Sequence, residues 1–168
     1  DVGADMILVD NQMKDLEFKI PVEEKKEDID GVEEEQLRKC EEWSQKIYDI
    51  SSKMKNIKNL NDCQIELINR RTELIEERLK ISCIYNKFLK ISSERKSDLM
   101  KKIKTKETLR LKTSTDFQIL FDSECKELNY KDNLFKNYLD FLGQTLMTID
   151  KLLFAVKNRI DIFNLEIK

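Results

Sequence analysis

From Phe135 to Ile167 apolar residues recur on an unbroken seven-residue period. One set is Leu139, Leu146, Leu153, Ile160 and Ile167 at the a positions. The other is Phe135, Leu142, Ile149, Val156 and Phe163 at the d positions. A helix carrying such a ridge must bury it against other helices, with a left-handed supercoil. Leu at a with Ile or Val at d is the pattern of three or more helices rather than of a parallel dimer. Apolar Tyr138 and Leu152 at g widen the stripe further, while Arg159 and Lys157 are expected to cover its edges with their aliphatic stems. Backwards, the register continues through Leu128, Cys125 and Phe121, with Asp132 and Gln118 as polar interruptions. Asp132 either sets register against a basic partner or marks where the partner helix has diverged. Gly143 costs about 1 kcal/mol against Ala inside a helix. Close approach of a neighbouring helix and chance account for it equally.

Upstream, Cys40, Trp43, Ile47, Ile50, Met54 and Ile57 follow 3-4 spacing. They predict a helix over about 32–58, with Glu33, Glu34 and Glu35 against its positive N-terminus. Asn59-Leu60-Asn61-Asp62 reads as a turn or kink. A second helix over about 62–111 carries two stripes. The first is Leu60, Cys63, Leu67, Leu74, Ile81, Ile84, Phe88 and Ile91; the second is Ile65, Ile68, Ile75 and Leu79. A helix apolar over so wide an arc touches two neighbours. Ser92-Ser93-Glu94 marks a site where it could break. Lys112 to Asp116 reads as a turn ending in an N-cap, with the last helix over about 116–168. The two long helices match in length, roughly 75–80 Å, and can pair antiparallel. The expected fold is all-α: an elongated antiparallel helical bundle or coiled coil of about three long helices over 32–168. The first helix covers one end of the hairpin.

Residues 1–31 differ in kind. Through residue 36 the chain holds 13 acidic residues against four lysines, interrupted by Met6-Ile7-Leu8-Val9 and by the alternating segment Leu16 to Val22. This acidic arm is expected to dock through its apolar islets onto helices, its own or a partner's. The 168 residues are 38% charged and 40% hydrophobic with net charge −2, and Gly143 is the sole Gly or Pro after Val32. Charged helix formers with so little punctuation match the coiled-coil class.

The chemistry this composition supports is narrow. There is no histidine, which removes His-based acid–base catalysis, the common zinc sites and His-activated nucleophiles. No Gly-rich loop is present to cradle phosphate. No catalytic residue, metal site or cofactor is therefore expected, and adjacent carboxylates such as Glu41-Glu42 and Glu76-Glu77 read as solvated helix faces. Cys40, Cys63, Cys83 and Cys125 form no CxxC pair and sit in or beside apolar stripes, where reduced Cys packs as a small hydrophobe. That favours a reducing, intracellular compartment, cytoplasm or nucleus. No apolar run reaches the roughly 18 residues that span a bilayer and no basic-then-apolar leader opens the sequence, so no membrane association is expected.

One stretch is strongly basic. Lys87, Lys90, Arg95, Lys96, Lys101, Lys102, Lys104, Lys106, Arg110 and Lys112 stand against Glu94, Asp98 and Glu107, a net of +7. They form a candidate patch for an anionic partner: nucleic acid, the chain's own acidic arm or another protein. Stacking platforms are missing, since Phe88 belongs to the core stripe. The closing half, Leu139 to Lys168, resembles through its generic heptads the helical hairpins of phage recombination mediators, and equally those of kinetochore, tethering and cytoskeletal-adaptor subunits; no family matches residue by residue. The expected function is a non-enzymatic structural or assembly subunit. It would engage protein partners, as a homo- or hetero-oligomer, through coiled-coil seams formed by the ten ridge residues together with Trp43, Ile47 and Ile50. The alternative is a nucleic-acid-binding or recombination-accessory protein using residues 87–112.

Overall fold

The computed structural model describes residues 26–107 and 114–167, with side chains over 34–105 and 114–167. The apolar islets of the arm, and Lys112 and Thr113 of the expected turn, lie outside the described residues; Ser114 to Asp116, expected to complete that turn, are already helical. Those that are described form an all-α chain without a strand: α1 (Lys26–Lys53), a 3-10 turn (Ile57–Asn59), α2 (Leu60–Glu107), α3 (Ser114–Glu124) and α4 (Lys126–Glu166).

The element boundaries differ from expectation in four places. Helix α1 begins at Lys26 rather than near Val32, because one internal glycine, Gly31, costs only about 1 kcal/mol among good helix formers. The first turn falls at 54–59 rather than at 59–62. Its hinge is Asn56, whose Oδ1 accepts from the Lys58 amide at 3.0 Å and so offers the backbone an alternative to the helix ladder. Helix α2 runs through Ser92-Ser93 without a break; Ile91 and Ser92 are both buried, and an interior serine is a weak breaker. The last helix is divided at Cys125 into α3 and α4. Yet Cys125 N donates to Phe121 O and Asn129 N to Cys125 O, both at 3.0 Å, so helical bonding carries on across the join.

The chain packs as two compact units, Glu34–Ile81 with Tyr138–Lys168 and, separately, Ser82–Asn137, with which the described residues 26–33 are grouped. In the first, the buried apolar residues are Trp43, Ile50 and Met54 from α1, Leu60, Cys63, Leu67, Leu74 and Ile81 from α2, and Tyr138, Leu142, Ile149 and Val156 from α4. Their 3-4 and 7 spacings put each set on one face of its helix. Contacts give the directions. Between α1 and α2, Lys53 meets Glu66 and Trp43 meets Glu77, so partners climb in one helix as they fall in the other. Between α2 and α4, Arg71 meets Asp150 and Arg78 lies against Gly143, again antiparallel. Arg159 of α4 donates to the Met54 carbonyl, placing a cation on orphan acceptors at the end of α1.

The second unit pairs the later part of α2 antiparallel with the start of α4 around Ile84, Phe88, Ile91, Leu128, Leu134 and Phe135. Phe88 and Phe135 are 5.3 Å apart by ring centroids, and Tyr85 stacks on Phe135 at 5.2 Å. Asp132, the polar interruption of the ridge, is held from both helices: Tyr85 Oη of α2 donates to Oδ1 at 2.7 Å, Lys136 of its own helix donates to Oδ2 at 2.5 Å, and the charge of Lys96 on the facing α2 also favours the carboxylate. Burial raises the Asp132 carboxyl, but the two donors together with the charges of Lys136 and Lys96 outweigh it and hold the group below its ordinary value. Helix α3 buries none of its residues, although Phe117 and Phe121 stack along it.

Two predictions follow from this packing. A Cβ added at Gly143 would lie 3.7 Å from Arg78 Nη2, an ordinary contact with a flexible side chain. Gly143→Ala should therefore stabilise the chain by about 0.5–1 kcal/mol in urea unfolding. In the second unit, burial first, then the Asp132 hydrogen bond, pushes the Tyr85 hydroxyl from 10.0 up to about 12. A folded-state value above the unfolded one means that the contribution is whole below pH 10 and is lost as pH rises through about 12. The stability advantage of wild type over Tyr85→Phe should be constant around neutral pH and shrink above pH 10.

Candidate interaction face

The Arg71–Asp150 ion pair, 2.7 Å between Nε and Oδ1 and half-exposed, organises one face of the first unit. On α2, Ile68 stands three residues before Arg71 and Ile75 four after it. On α4, Met147 stands three before Asp150 and Phe154 four after it. Positions i−3 and i+4 share a helix side with residue i. At about 100° per residue, all four are displaced by roughly 40–60° from the salt-bridging residue of their own helix. On α2 that displacement leads away from Cys63, Glu66 and Glu77, which face α1. On α4, Met147 and Phe154 stand roughly 120–140° round the helix from Arg159, which reaches the end of α1. Because α2 and α4 are antiparallel, Ile75 is level with Met147 and Ile68 with Phe154. Ile65 and Leu79 extend the row on α2. All six are exposed, from 38% for Ile75 to 67% for Phe154. The unit therefore has α1 on one side of the α2–α4 pair and an uncovered apolar row on the other. Ile65, Ile68, Ile75 and Leu79 are the second stripe of the sequence, which no described helix covers.

The thirteen expected interface residues separate into three groups. Phe135, Leu142, Ile149, Val156, Trp43 and Ile50 are buried. Leu139, Leu146, Leu153, Ile160 and Ile47 are half-buried. Phe163 and Ile167 are exposed: Arg159 already reaches the end of α1 and α2 starts at Leu60, so the last turns of α4 outrun their neighbours. Phe135 packs in the Ser82–Asn137 unit, the other residues through Ile167 in the first unit.

Glu77 escaped the sequence reading, which places the Glu76-Glu77 pair in solvent. It is half-buried and accepts from Trp43 Nε1 of α1 at 3.2 Å and from the Tyr138 hydroxyl of α4. One carboxylate thus joins three helices, and burial followed by this bond raises the Tyr138 hydroxyl well above its ordinary value. The signal was its spacing, three after Leu74 and four before Ile81, on the buried stripe of α2.

Of the basic residues, Lys87, Lys90, Arg95, Lys101, Lys102 and Lys104 are exposed. Lys96 donates to Asn129 at 2.7 Å, and Lys101 lies 3.8 Å from Asp98. The side chain of Lys106, and Arg110 and Lys112 altogether, lie outside the described residues. Burial pushes the thiols of Cys40, Cys63 and Cys125 up, away from the reactive thiolate. Among the described residues no cluster of metal-ligating side chains occurs, and no helix is long and apolar enough to cross a membrane.

No family model matches the chain, and neither a curated protein nor a solved structure is significantly similar to it.

Glu77→Ala would strip the shared acceptor from Trp43 and Tyr138. A loss of about 1–3 kcal/mol is expected, read as a lower urea midpoint in the fluorescence of Trp43, the single tryptophan.

Proposed function

We propose that the chain is a non-enzymatic assembly subunit whose long helices form an antiparallel bundle with coiled-coil character and which binds protein partners through a helical seam. The observation that carries this reading is the apolar row of Ile65, Ile68, Ile75 and Leu79 on α2 beside Met147 and Phe154 on α4, all exposed. Apolar residues at 3-4 spacing along two adjacent helices are what a further helix packs against, and exposed contiguous apolar patches mark interaction sites. Nucleic-acid binding has weaker support. The exposed cations between Lys87 and Lys104 would contact phosphate, but the one aromatic residue among them, Phe88, is buried and unavailable for base stacking.

The test is affinity capture from a cell extract by the full chain and by its Ile68→Asp/Phe154→Asp double variant. Both side chains are exposed, so helicity by circular dichroism should be unchanged. Proteins retained by wild type should be missing from the variant. Equal recovery by the two would defeat the reading.

A further inference from the structure

We infer that the occupant of this apolar row is a second copy of the same chain. This rests on the assembly-subunit reading and adds the partner and its register. The charges argue for it. At the middle of the row stand Arg71 and Asp150, of opposite sign and each about half exposed. The two pair with each other and each keeps an exposed side, so the face best suits a partner that answers both charges at one level and presents apolar side chains a turn above and a turn below. The row itself meets that description.

Turning a second copy by half a rotation about an axis parallel to the helices lays its α4 over α2 and its α2 over α4. Levels are preserved by that operation. Asp150 of the second copy then faces Arg71, and Arg71 of the second copy faces Asp150. In the same way Met147 comes over Ile75 and Phe154 over Ile68, in both directions. Each α2 meets the opposing α4 antiparallel, repeating the pairing found within the unit. The contact is isologous, as the commonest homodimers are. The centre becomes four helices, in keeping with a ridge of Leu at a and Ile or Val at d. With the opposite choice, an axis lying across the helices, Arg71 would fall on Arg71 and Asp150 on Asp150; charge selects the first.

Analytical ultracentrifugation of the full chain tests this. Wild type should sediment at twice the 20.0 kDa chain mass, and Phe154→Asp and Ile75→Asp at the single mass with unchanged helicity. On a Cys83→Ser background, copies carrying Ile75→Cys should form disulfides with copies carrying Met147→Cys in preference to one another. A wild type of single mass at a concentration on the order of 100 μM, far above the dissociation constants of stable dimers, would overturn the proposal. So would a dimer that survives both aspartate variants, or preferential Ile75→Cys self-linkage. A single-mass wild type that still loses captured proteins through Phe154→Asp would overturn the second copy alone. The row would then belong to a different occupant and the assembly-subunit reading would stand.

Discussion

A helix buries only as much of its circumference as its neighbours cover. That limit decides the character of this chain. In the Glu34–Ile81 and Tyr138–Lys168 unit, α1 and α4 flank α2 and bury Leu60, Cys63, Leu67, Leu74 and Ile81 completely or nearly so. Each fully buried leucine or isoleucine contributes about 1.5–3 kcal/mol, so one stripe suffices to hold the unit. The second stripe of α2 faces away from both neighbours and forgoes that contribution. Helix α4 repeats the arrangement, with Leu142, Ile149 and Val156 inside and Met147 and Phe154 outside. One stripe of each helix is buried inside the unit, while the apolar side chains of the other stay exposed.

Polar groups divide along the same line. Glu77 is drawn into the junction of three helices, where it satisfies Trp43 and Tyr138 at once. A half-buried carboxylate with two donors is expensive to disturb, because losing either side strands a partner. It therefore fixes how α1 is rotated against the α2–α4 pair. Arg71 and Asp150 sit at the opposite edge with water around them, where an ion pair contributes about 0–1 kcal/mol. Arg159 fixes a third point, tying the end of α1 to α4.

What the sequence made legible was periodicity, because the spacing of apolar residues is the geometry of a helix. All eight members of the first α2 stripe, Leu60 to Ile91, are buried. The all-α class follows from the same signal. Periodicity does not report where neighbouring helices end, so Phe163 and Ile167 keep the heptad yet protrude beyond α1 and α2. Nor does it identify what covers a stripe: Ile65, Ile68, Ile75 and Leu79 were readable as apolar but not as vacant. Charge misled in the opposite direction. Glu77 resembles any surface glutamate until its place between Leu74 and Ile81 is weighed. The turn was displaced toward Asn56 because a side-chain cap competes over two residues, a range shorter than any hydrophobic period.

The ion pair within the apolar row would also bear on the selectivity of the proposed contact. An uninterrupted strip from Ile65 to Leu79 beside Met147 and Phe154 would adhere to any greasy surface. Placing Arg71 and Asp150 at its centre divides it into two smaller patches and sets a condition for contact. A partner that brings only apolar side chains must desolvate two charges without replacing their water, which is costly. A partner that brings the opposite charges at the same level recovers that loss. Discrimination of this kind comes from what the wrong partner suffers rather than from what the right one gains. In the proposed contact, the same two residues that contribute little to folding would be the ones best placed to decide what the row accepts.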